Sequence, residues 1–294
     1  MASKLAILNS MASPDFDHAL DLHRQWGLEW LDLKDSIYGH TVETLDEVAA
    51  RRAKDAIDAA GLKVFCLSTS LMHDDLVKGE EHFRTHHIDR IAGLATTVSI
   101  LRPKYIRLLA GRLSDRPQTP GAFDTVMRDH PWVIQAYREA IDRAADLGSA
   151  VTIENEARDC MLVTADDMVA FFDALDRRQS VGLTWDIQNQ WTCGTFPSLA
   201  DYETLKPLLQ YVHAKGGQYE DPVTRALAWK SRLEDASWPV VDIIQRVVDD
   251  GVSPVICINP PKGKLKSEYG YGYDYGEVTQ LDIAFLRRAV RGIV

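Results

Sequence analysis

The chain has 294 residues, of which 46% are hydrophobic and 26% are charged, a composition typical of a soluble globular protein. A chain of this length can bury a full core without disulfide bonds. The formal net charge is -10, and its lysines and arginines are scattered, which argues against binding to nucleic acid. No stretch is apolar enough to span a membrane, and the first residues lack the pattern of a signal peptide.

The four cysteines are far apart in the sequence, and none forms a CxxC pair. They are Cys66, Cys160, Cys193 and Cys257. Two of them lie in the apolar runs VFCLS and VICIN, which is typical of buried thiols. We therefore predict reduced cysteines in a cytoplasmic protein, and a thiol nucleophile is the less favoured interpretation.

Short β-like runs alternate with longer helix-like segments. In chain order the β-like runs are KLAILNS, LEWLDLKD, KVFCLSTS, KYIRLLAG, SAVTIENE, VGLTWDIQN, YVHAKGG and VSPVICINP. The segments that follow them have helical spacing and are HALDLHRQWG, TLDEVAARRAKDAIDAAG, EEHFRTHHIDRIAGLATTV, HPWVIQAYREAIDRAADLG, TADDMVAFFDALD, LADYETLKPLLQ, WPVVDIIQRVVDDG and LDIAFLRRAVRGIV. Thr164 is the predicted N-cap of the fifth helix, with Asp167 three residues on. Eight such units predict a closed parallel (β/α)8 TIM barrel, an α/β fold formed as a single domain over residues 1–294.

An open, doubly wound parallel sheet is the alternative arrangement of the same units. Such sheets usually carry a glycine-rich phosphate-binding loop after the first strand. The segment NSMASPD stands in that place and has no glycine. The barrel is therefore favoured.

Three successive strands end in a carboxylate, a second carboxylate and an imidazole, those of Glu154, Asp186 and His213. In a TIM barrel the C-terminal strand ends face the substrate, and neighbouring parallel strands are about 4.8 Å apart. The three side chains can therefore converge on one point. Oxygen and imidazole ligands together suit one divalent ion, such as Mn²⁺, Mg²⁺, Co²⁺ or Zn²⁺. Such an ion would favour removal of a proton next to a carbonyl by stabilising the enediolate.

Each of these three residues, taken alone, has a more common explanation. A buried glutamate usually pairs with lysine or arginine, and a strand histidine usually packs in the core. Only the joint placement at three strand ends favours a metal or catalytic site.

Other polar and aromatic residues follow the same strand ends and are predicted to bind substrate. They are Lys34, Arg107, Trp185, Gln188, Asn189 and Tyr271. A salt bridge is an equally good explanation for Arg107, and the aromatic residues can be packing residues instead. Tyr271 lies in PPKGKLKSEYGYGYDYGE, whose composition is that of a loop. We predict that residues 262–277 of this segment form a mobile lid.

The runs VTIENE, GLTWDIQN and YVHAKGG resemble the core signatures of the xylose-isomerase-like barrel superfamily. This superfamily includes sugar phosphate isomerases and epimerases, ketose 3-epimerases, inosose dehydratases and related endonucleases. LDLKD and DASWPVVDIIQRV fit the same order, so the resemblance covers nearly the whole chain. It implies that Glu154, Asp186 and His213 are metal ligands. The endonuclease branch is disfavoured, because STSLMHDD and LKDS do not match the additional ligands of its trinuclear zinc site.

One position departs from the family's pattern. The family usually closes its metal site with a glutamate at the end of the eighth strand, where this chain has Asn259 in VICINPP. An amide oxygen can bind a hard cation but cannot act as a general base. We therefore expect Asn259 as an uncharged fourth ligand, unless Glu268 or Glu277 in the following loop supplies the carboxylate. The groups expected to move protons are Glu154, Glu156, His73 and Lys215.

Three hypotheses of function follow. The first is a metal-dependent isomerase or epimerase acting on a sugar or sugar phosphate through an enediolate. The second is a lyase or dehydratase that removes the same proton and expels a β-leaving group; Asn259 favours it, because elimination needs one base and one acid rather than two equivalent carboxylates. The third is a non-catalytic sugar-binding subunit. We expect a small carbohydrate partner and a possible homo-oligomer, with no nucleic acid and no membrane.

Overall fold

The computed structural model describes residues 2–116, 121–157, 159–260 and 275–294. Ten strands lie in this part of the chain. They are β1 Lys4–Leu8, β2 Trp30–Leu33, β3 Lys63–Ser68, β4 Tyr105–Leu109, β5 Ala150–Glu154, β6 Val181–Asp186, β7 Leu209–Ala214, β8 Gly216–Tyr219, β9 Leu227–Ser231 and β10 Val255–Ile258. Eight of them close into a parallel barrel in the order β1-β10-β7-β6-β5-β4-β3-β2. The predicted (β/α)8 barrel is confirmed.

The α-helices lie between and after these strands. They are α1 Asn9–Ala12, α2 Phe16–Gln25, α3 Glu47–Ala59, α4 Glu80–Phe83, α5 Ala95–Leu101, α6 Ala122–Asp129, α7 Trp132–Ala145, α8 Ala165–Leu175, α9 Ile187–Thr192, α10 Leu199–Leu205, α11 Val240–Asp250 and α12 Tyr275–Ala289. Thr164 caps α8 as predicted, and the side chain of Asp167 completes a capping box. No helix in the described segments has both the length and the apolar character that crossing a bilayer requires.

The predicted third helix is divided into several short pieces. After α4 the chain forms a π-helical turn at Arg84–Ile88 and a 3-10 turn at Ile91–Leu94, and only then enters α5. Gly93 lies inside the 3-10 turn, where its low helix propensity weakens a continuous α-helix. The apolar spacing of this segment predicted a helical face correctly, but it could not show where the hydrogen-bond pattern changes.

Apolar side chains fill the barrel beneath the C-terminal strand ends. One cluster contains Phe65, Tyr105 and Tyr211, whose rings meet edge to face. Alternate residues of a strand share one face, so His213 lies directly above Tyr211, and their ring centroids are 4.7 Å apart. All four cysteines are buried and free, as expected.

An antiparallel hairpin, β8–β9, follows β7 directly and was not predicted. Gly216 pairs with Ser231, and Gly217 pairs with Lys230. A Cβ atom on Gly216 would lie 2.2 Å from the carbonyl oxygens of Ser231 and Arg232, so the close approach of these two chains requires glycine. The hairpin stands beside the C-terminal end of the barrel and adds side chains to the cavity there.

Candidate active site

Glu154, Asp186 and His213 end or nearly end the three adjacent strands β5, β6 and β7. One ligand atom of each lies within 4.8 Å of the other two, and all three side chains are buried. His213 Nδ1 is 3.2 Å from Glu154 Oε1 and 3.9 Å from Asp186 Oδ2. The barrel thus brings together the three residues that the strand-end pattern singled out.

The position of Asp186 follows from local structure. Its Oδ1 atom accepts a hydrogen bond of 2.9 Å from the backbone of Asn189 and so caps α9. Its Oδ2 atom is 2.6 Å from Lys215 Nζ. Asn155 bonds both the backbone N–H and the carbonyl of Asp186, at 2.8 and 2.9 Å. Asn155 therefore fixes the strand end that carries Asp186.

Asp32, on β2, orients the imidazole of His213. Its Oδ2 atom is 3.4 Å from His213 Nε2 and accepts a hydrogen bond of 3.0 Å from the hydroxyl of Tyr211. Its Oδ1 atom accepts one of 2.5 Å from Ser68. Nε2 of His213 forms an ion pair with Asp32 but no hydrogen bond, and Nδ1 faces Glu154. A carboxylate on the side of the far nitrogen is typical of metal-binding histidines. Burial opposes protonation of His213, but Glu154 and Asp32 outweigh it and raise its pKa to about 9.

Arg107 is buried beneath the site and pairs with Glu154. Its Nη1 atom donates to Glu154 Oε2, and its Nη2 atom donates to the carbonyl oxygen of Thr69 at 2.8 Å. Burial would raise the pKa of Glu154, but the charges of Arg107 and His213 hold it well below its usual range. Glu154 is therefore ionised, and its Oε1 atom remains directed at His213.

Asn259 follows β10 and lies beside the same cluster. Its Nδ2 atom is 3.5 Å from His213 Nδ1, and its Oδ1 atom accepts from the backbone N–H of Leu8 at 3.4 Å and from the thiol of Cys257 at 3.3 Å. Glu277 is exposed in the first turn of α12. Glu268 lies outside the described residues.

A cavity of about 530 Å³ lies next to this cluster at the C-terminal face of the barrel. It is lined by six residues of the predicted site: Lys34, His73, Glu156, Gln188, Asn189 and Lys215. Asn189 joins two of the groups, since its amide donates to Glu156 at 3.1 Å and its oxygen accepts from Lys215 at 3.3 Å. Burial lowers the pKa of His73, so its ring is neutral at neutral pH.

Lys230, on β9, also lines the cavity, although no motif in the sequence indicated it. Its ammonium group donates to Gln188 Oε1, while Gln188 Nε2 donates to the carbonyl oxygen of Gly216. These bonds fasten the hairpin to α9. Burial and the nearby charge of Lys215 lower the pKa of Lys230 to about 8.

Of the other residues predicted to bind substrate, Trp185 and Arg107 are described by the structure, and neither lines the cavity. Trp185 is fully buried, and its Nε1 atom donates to Gln190 Oε1 at 2.8 Å. Arg107 makes the salt bridge that was its alternative explanation. Tyr271 and most of the predicted lid, residues 262–274, lie outside the described residues, and residues 275–277 form the first turn of α12.

The family model for xylose isomerase-like TIM barrels matches residues 20–288, so this chain belongs to that family. A xylose isomerase-like TIM barrel protein from Mycobacterium smegmatis, solved in complex with magnesium, is 19% identical, with 93% of this chain and 87% of that chain covered and a TM-score of 0.68. The probable 3-DHS dehydratase of Bacillus anthracis is 14% identical and has a TM-score of 0.70, and the match covers 98% of this chain and 99% of that chain. The 3-keto-D-glucoside 4-epimerase of E. coli is 15% identical and has a TM-score of 0.70, and the match covers 97% of this chain and 99% of that chain. These structures share the fold with this chain, and no curated protein sequence matches it.

Proposed function

We propose that the protein is a metal-dependent isomerase or epimerase acting on a sugar, and that the sugar carries a negative charge. One observation carries the proposal. Ligand atoms of Glu154, Asp186 and His213 converge within 4.8 Å of one another, next to a cavity large enough for a sugar. The epimerase and dehydratase that share the fold support the same class of chemistry.

The donor set fits a divalent cation. It offers two carboxylate oxygens and an imidazole nitrogen. The carboxylate of Asp32 lies 3.4 Å from the far nitrogen of that imidazole, on the side where metal-bound histidines usually have a carboxylate. Glu154, Asp186 and His213 would hold the ion. Asn259 would become a fourth donor only if its amide turned, because its Nδ2 atom now faces His213 and its Oδ1 atom accepts from Leu8 and Cys257. When bound, the ion would stabilise negative charge that develops on a substrate oxygen.

Proton transfer is assigned to His73 and Glu156, because both line the cavity. His73 is neutral, so its ring can accept a proton, and the carboxylate of Glu156 is held towards the site by Asn189. Asp186 and the other nearby carboxylates raise the pKa of Lys215 despite its burial. Lys215 therefore stays charged and serves to bind substrate oxygen rather than to act as a base.

The charge of the cavity indicates the substrate class. Lys34, Lys215 and Lys230 line the cavity, and Glu156 is the one acidic residue of its lining within the described residues. Three ammonium groups favour a phosphate or carboxylate group on the sugar. The proposed substrates are therefore sugar phosphates and sugar acids with a carbonyl next to the carbon that loses its proton.

The elimination reaction remains the second candidate, and Asn259 favours it. Asn259, the residue after β10, has an amide side chain. A symmetric epimerisation uses a second carboxylate as an acid and base, and that position therefore does not supply one. An elimination needs one base and one acid, and His73 and Glu156 can supply them. Turnover tests on keto-sugars with and without a β-leaving group separate the two reactions.

The experiment that tests the metal compares protein stripped by a chelator with protein refilled with Mn²⁺ or Mg²⁺. We expect activity on phosphorylated or acidic keto-sugars only after refilling. Glu154→Gln should abolish the activity and the ion bound at the strand ends, whereas Glu203→Gln, on the exposed side of α10, should change neither. Full activity in the stripped protein, or an unchanged ion content in Glu154→Gln, would overturn the proposal.

A further inference from the structure

A second group of metal-ligand side chains lies outside the barrel mouth, around the loop that follows β3. It consists of Asp74 in that loop, His82 in α4 and His87 in the π-helical turn. We propose that these three residues bind a transition-metal ion of the Zn²⁺ class, separate from the ion at the strand ends. Two imidazoles and one carboxylate are the ligands that such ions prefer.

The three side chains point at one another. His82 Nε2 and Asp74 Oδ2 share a hydrogen bond of 2.6 Å, which a bound ion would replace, and His87 Nε2 is 3.6 Å from the same oxygen. All three ligand atoms lie within 4.8 Å of one another. Asp74 and His82 are partly exposed, with 20% and 24% of their side chains accessible, so an ion can enter from solvent.

The π-helical turn creates this arrangement. His82 and His87 are five residues apart, and in a regular α-helix they would point about 140° away from each other. The bond of 2.9 Å from the N–H of Asp89 to the carbonyl of Arg84 is of the i to i+5 type and widens this turn. The wider turn brings the two imidazoles to the same side. Such turns are frequent at functional sites.

His87 gives an independent sign of a missing ligand. The residue is 8% exposed, and its Nε2 atom, aimed at Asp74, is buried without a hydrogen bond. A buried polar nitrogen without a partner destabilises the fold, and a metal ion bound to it would remove that cost.

The other oxygen of Asp74 has partners of its own. Oδ1 is 2.5 Å from Lys78 Nζ and accepts a bond of 3.1 Å from the backbone of Asp75. These contacts leave Oδ2 facing the two imidazoles. The carboxylate is thus fixed by one oxygen and directed at the cluster by the other.

The location gives the ion a role in positioning the active-site loop. Asp74 follows His73, which lines the cavity. Its carbonyl accepts a bond of 2.8 Å from Arg112, and Leu76 donates back to the carbonyl of Arg112 at 2.9 Å. An ion held by Asp74, His82 and His87 would tie α4 and the π-helical turn to this loop and so fix the position of His73.

The test counts Zn²⁺ bound to chelator-stripped protein by dialysis and elemental analysis, with Co²⁺ absorption as a second readout of imidazole coordination. His82→Gln and Asp74→Asn should each bind one ion fewer per chain than the wild type. His86→Gln is the matched control, since this exposed ring stacks on His82 with centroids 4.0 Å apart but belongs to no ligand set; it should bind as the wild type does.

The two metal sites are told apart by the Glu154→Gln variant. That variant should keep the ion at Asp74, His82 and His87 whether or not the strand-end site binds metal. Asp74→Asn changes the shape of a partly exposed side chain very little, so it should fold. If His82→Gln does not fold, the Zn²⁺ content of Asp74→Asn alone tests the second site. Equal Zn²⁺ content and equal Co²⁺ spectra in wild type, Asp74→Asn and His82→Gln would overturn the proposal.

Discussion

Each acidic residue of the strand-end cluster uses its two oxygens differently. Glu154 gives Oε2 to Arg107 and turns Oε1 to His213, while Asp186 caps α9 with Oδ1 and keeps Oδ2 for the cluster. The protein therefore fixes each carboxylate by one oxygen and presents the other. An ion at this point would take Oδ2 of Asp186 from Lys215, whose ammonium group could then contact substrate.

Asn259→Glu tests the departure from the family's pattern. A charged oxygen beside His213 should tighten binding of Mn²⁺ by about tenfold or more. Faster epimerisation would favour the isomerase, whereas tighter metal with slower turnover would favour the lyase, because the added charge repels the developing enolate. An unchanged affinity for Mn²⁺, measured by titration, would mean that Asn259 does not contact the ion.

Lys230→Met tests the charge of the substrate. Methionine keeps most of the side chain's length but removes the ammonium group, so KM for a phosphorylated or acidic sugar should rise about tenfold with a smaller change in kcat. Lys63→Met is the control and should leave KM unchanged, because Lys63 begins β3 at the end of the barrel away from the cavity. Equal rises in KM for charged and neutral substrates would contradict the proposed role.

The sequence singled out Glu154, Asp186 and His213 because each lies at or next to the end of its strand. It did not reveal Asp32, Asn155 or Lys230. Asp32 acts across the barrel interior, and the distance from β2 to β7 is set only when the sheet closes. Asn155 acts through the backbone of a neighbouring strand, and Lys230 arrives on a hairpin that the pattern did not show.

At the scale of secondary-structure elements, the barrel strands were predictable and the additions to the barrel were not. The barrel strands β4 and β6 are buried along their whole length and consist mostly of apolar residues, since helices cover such strands on one side and the core on the other. The strands β8 and β9 are only partly buried and include two glycines, so they show no such run. Their stability depends on contacts with α9, which the sequence of the hairpin does not contain.

Gly216→Ala tests the importance of the hairpin. The new Cβ atom would meet backbone carbonyl oxygens at 2.2 Å, so the two strands must separate. We expect a loss of about 1–3 kcal/mol in the free energy of unfolding and weaker binding of acidic sugars, because Lys230 moves. Gly93→Ala is the control, since nothing lies within 4 Å of its added Cβ. Unchanged stability and unchanged substrate binding in Gly216→Ala would show that the hairpin does not shape the cavity.

On the scale of the whole molecule, closure of the barrel gathers groups from distant parts of the chain. Asp32 of β2, Glu154 of β5 and His213 of β7 meet in one buried network. The chain as a whole carries a formal charge of -10, yet three lysines line the cavity. Positive charge that would attract the proposed anionic sugar is therefore local to the C-terminal face of the barrel.

Stability without metal should depend on pH through His213. Its pKa rises from 6.5 to about 9 on folding, so protonation stabilises the fold fully below pH 6.5, and this contribution is lost as the pH rises through 9. The lost contribution is about 3 kcal/mol. Denaturant unfolding of wild type and His213→Gln, both stripped of metal, should show a larger difference at about pH 6 than at about pH 10. If the difference in the free energy of unfolding between the two proteins does not change with pH, then Glu154 and Asp32 do not stabilise protonated His213 in the folded protein.

Anomalous diffraction from crystals grown with Mn²⁺ tests the central claim most directly, because it locates the ion and its ligands together. We expect a peak within about 2.5 Å of Glu154 Oε1, Asp186 Oδ2 and His213 Nδ1, with Lys215 moved from Asp186. A map with no peak among these three atoms, and with Lys215 still on Asp186, would contradict the proposal of a metal-dependent sugar isomerase or epimerase.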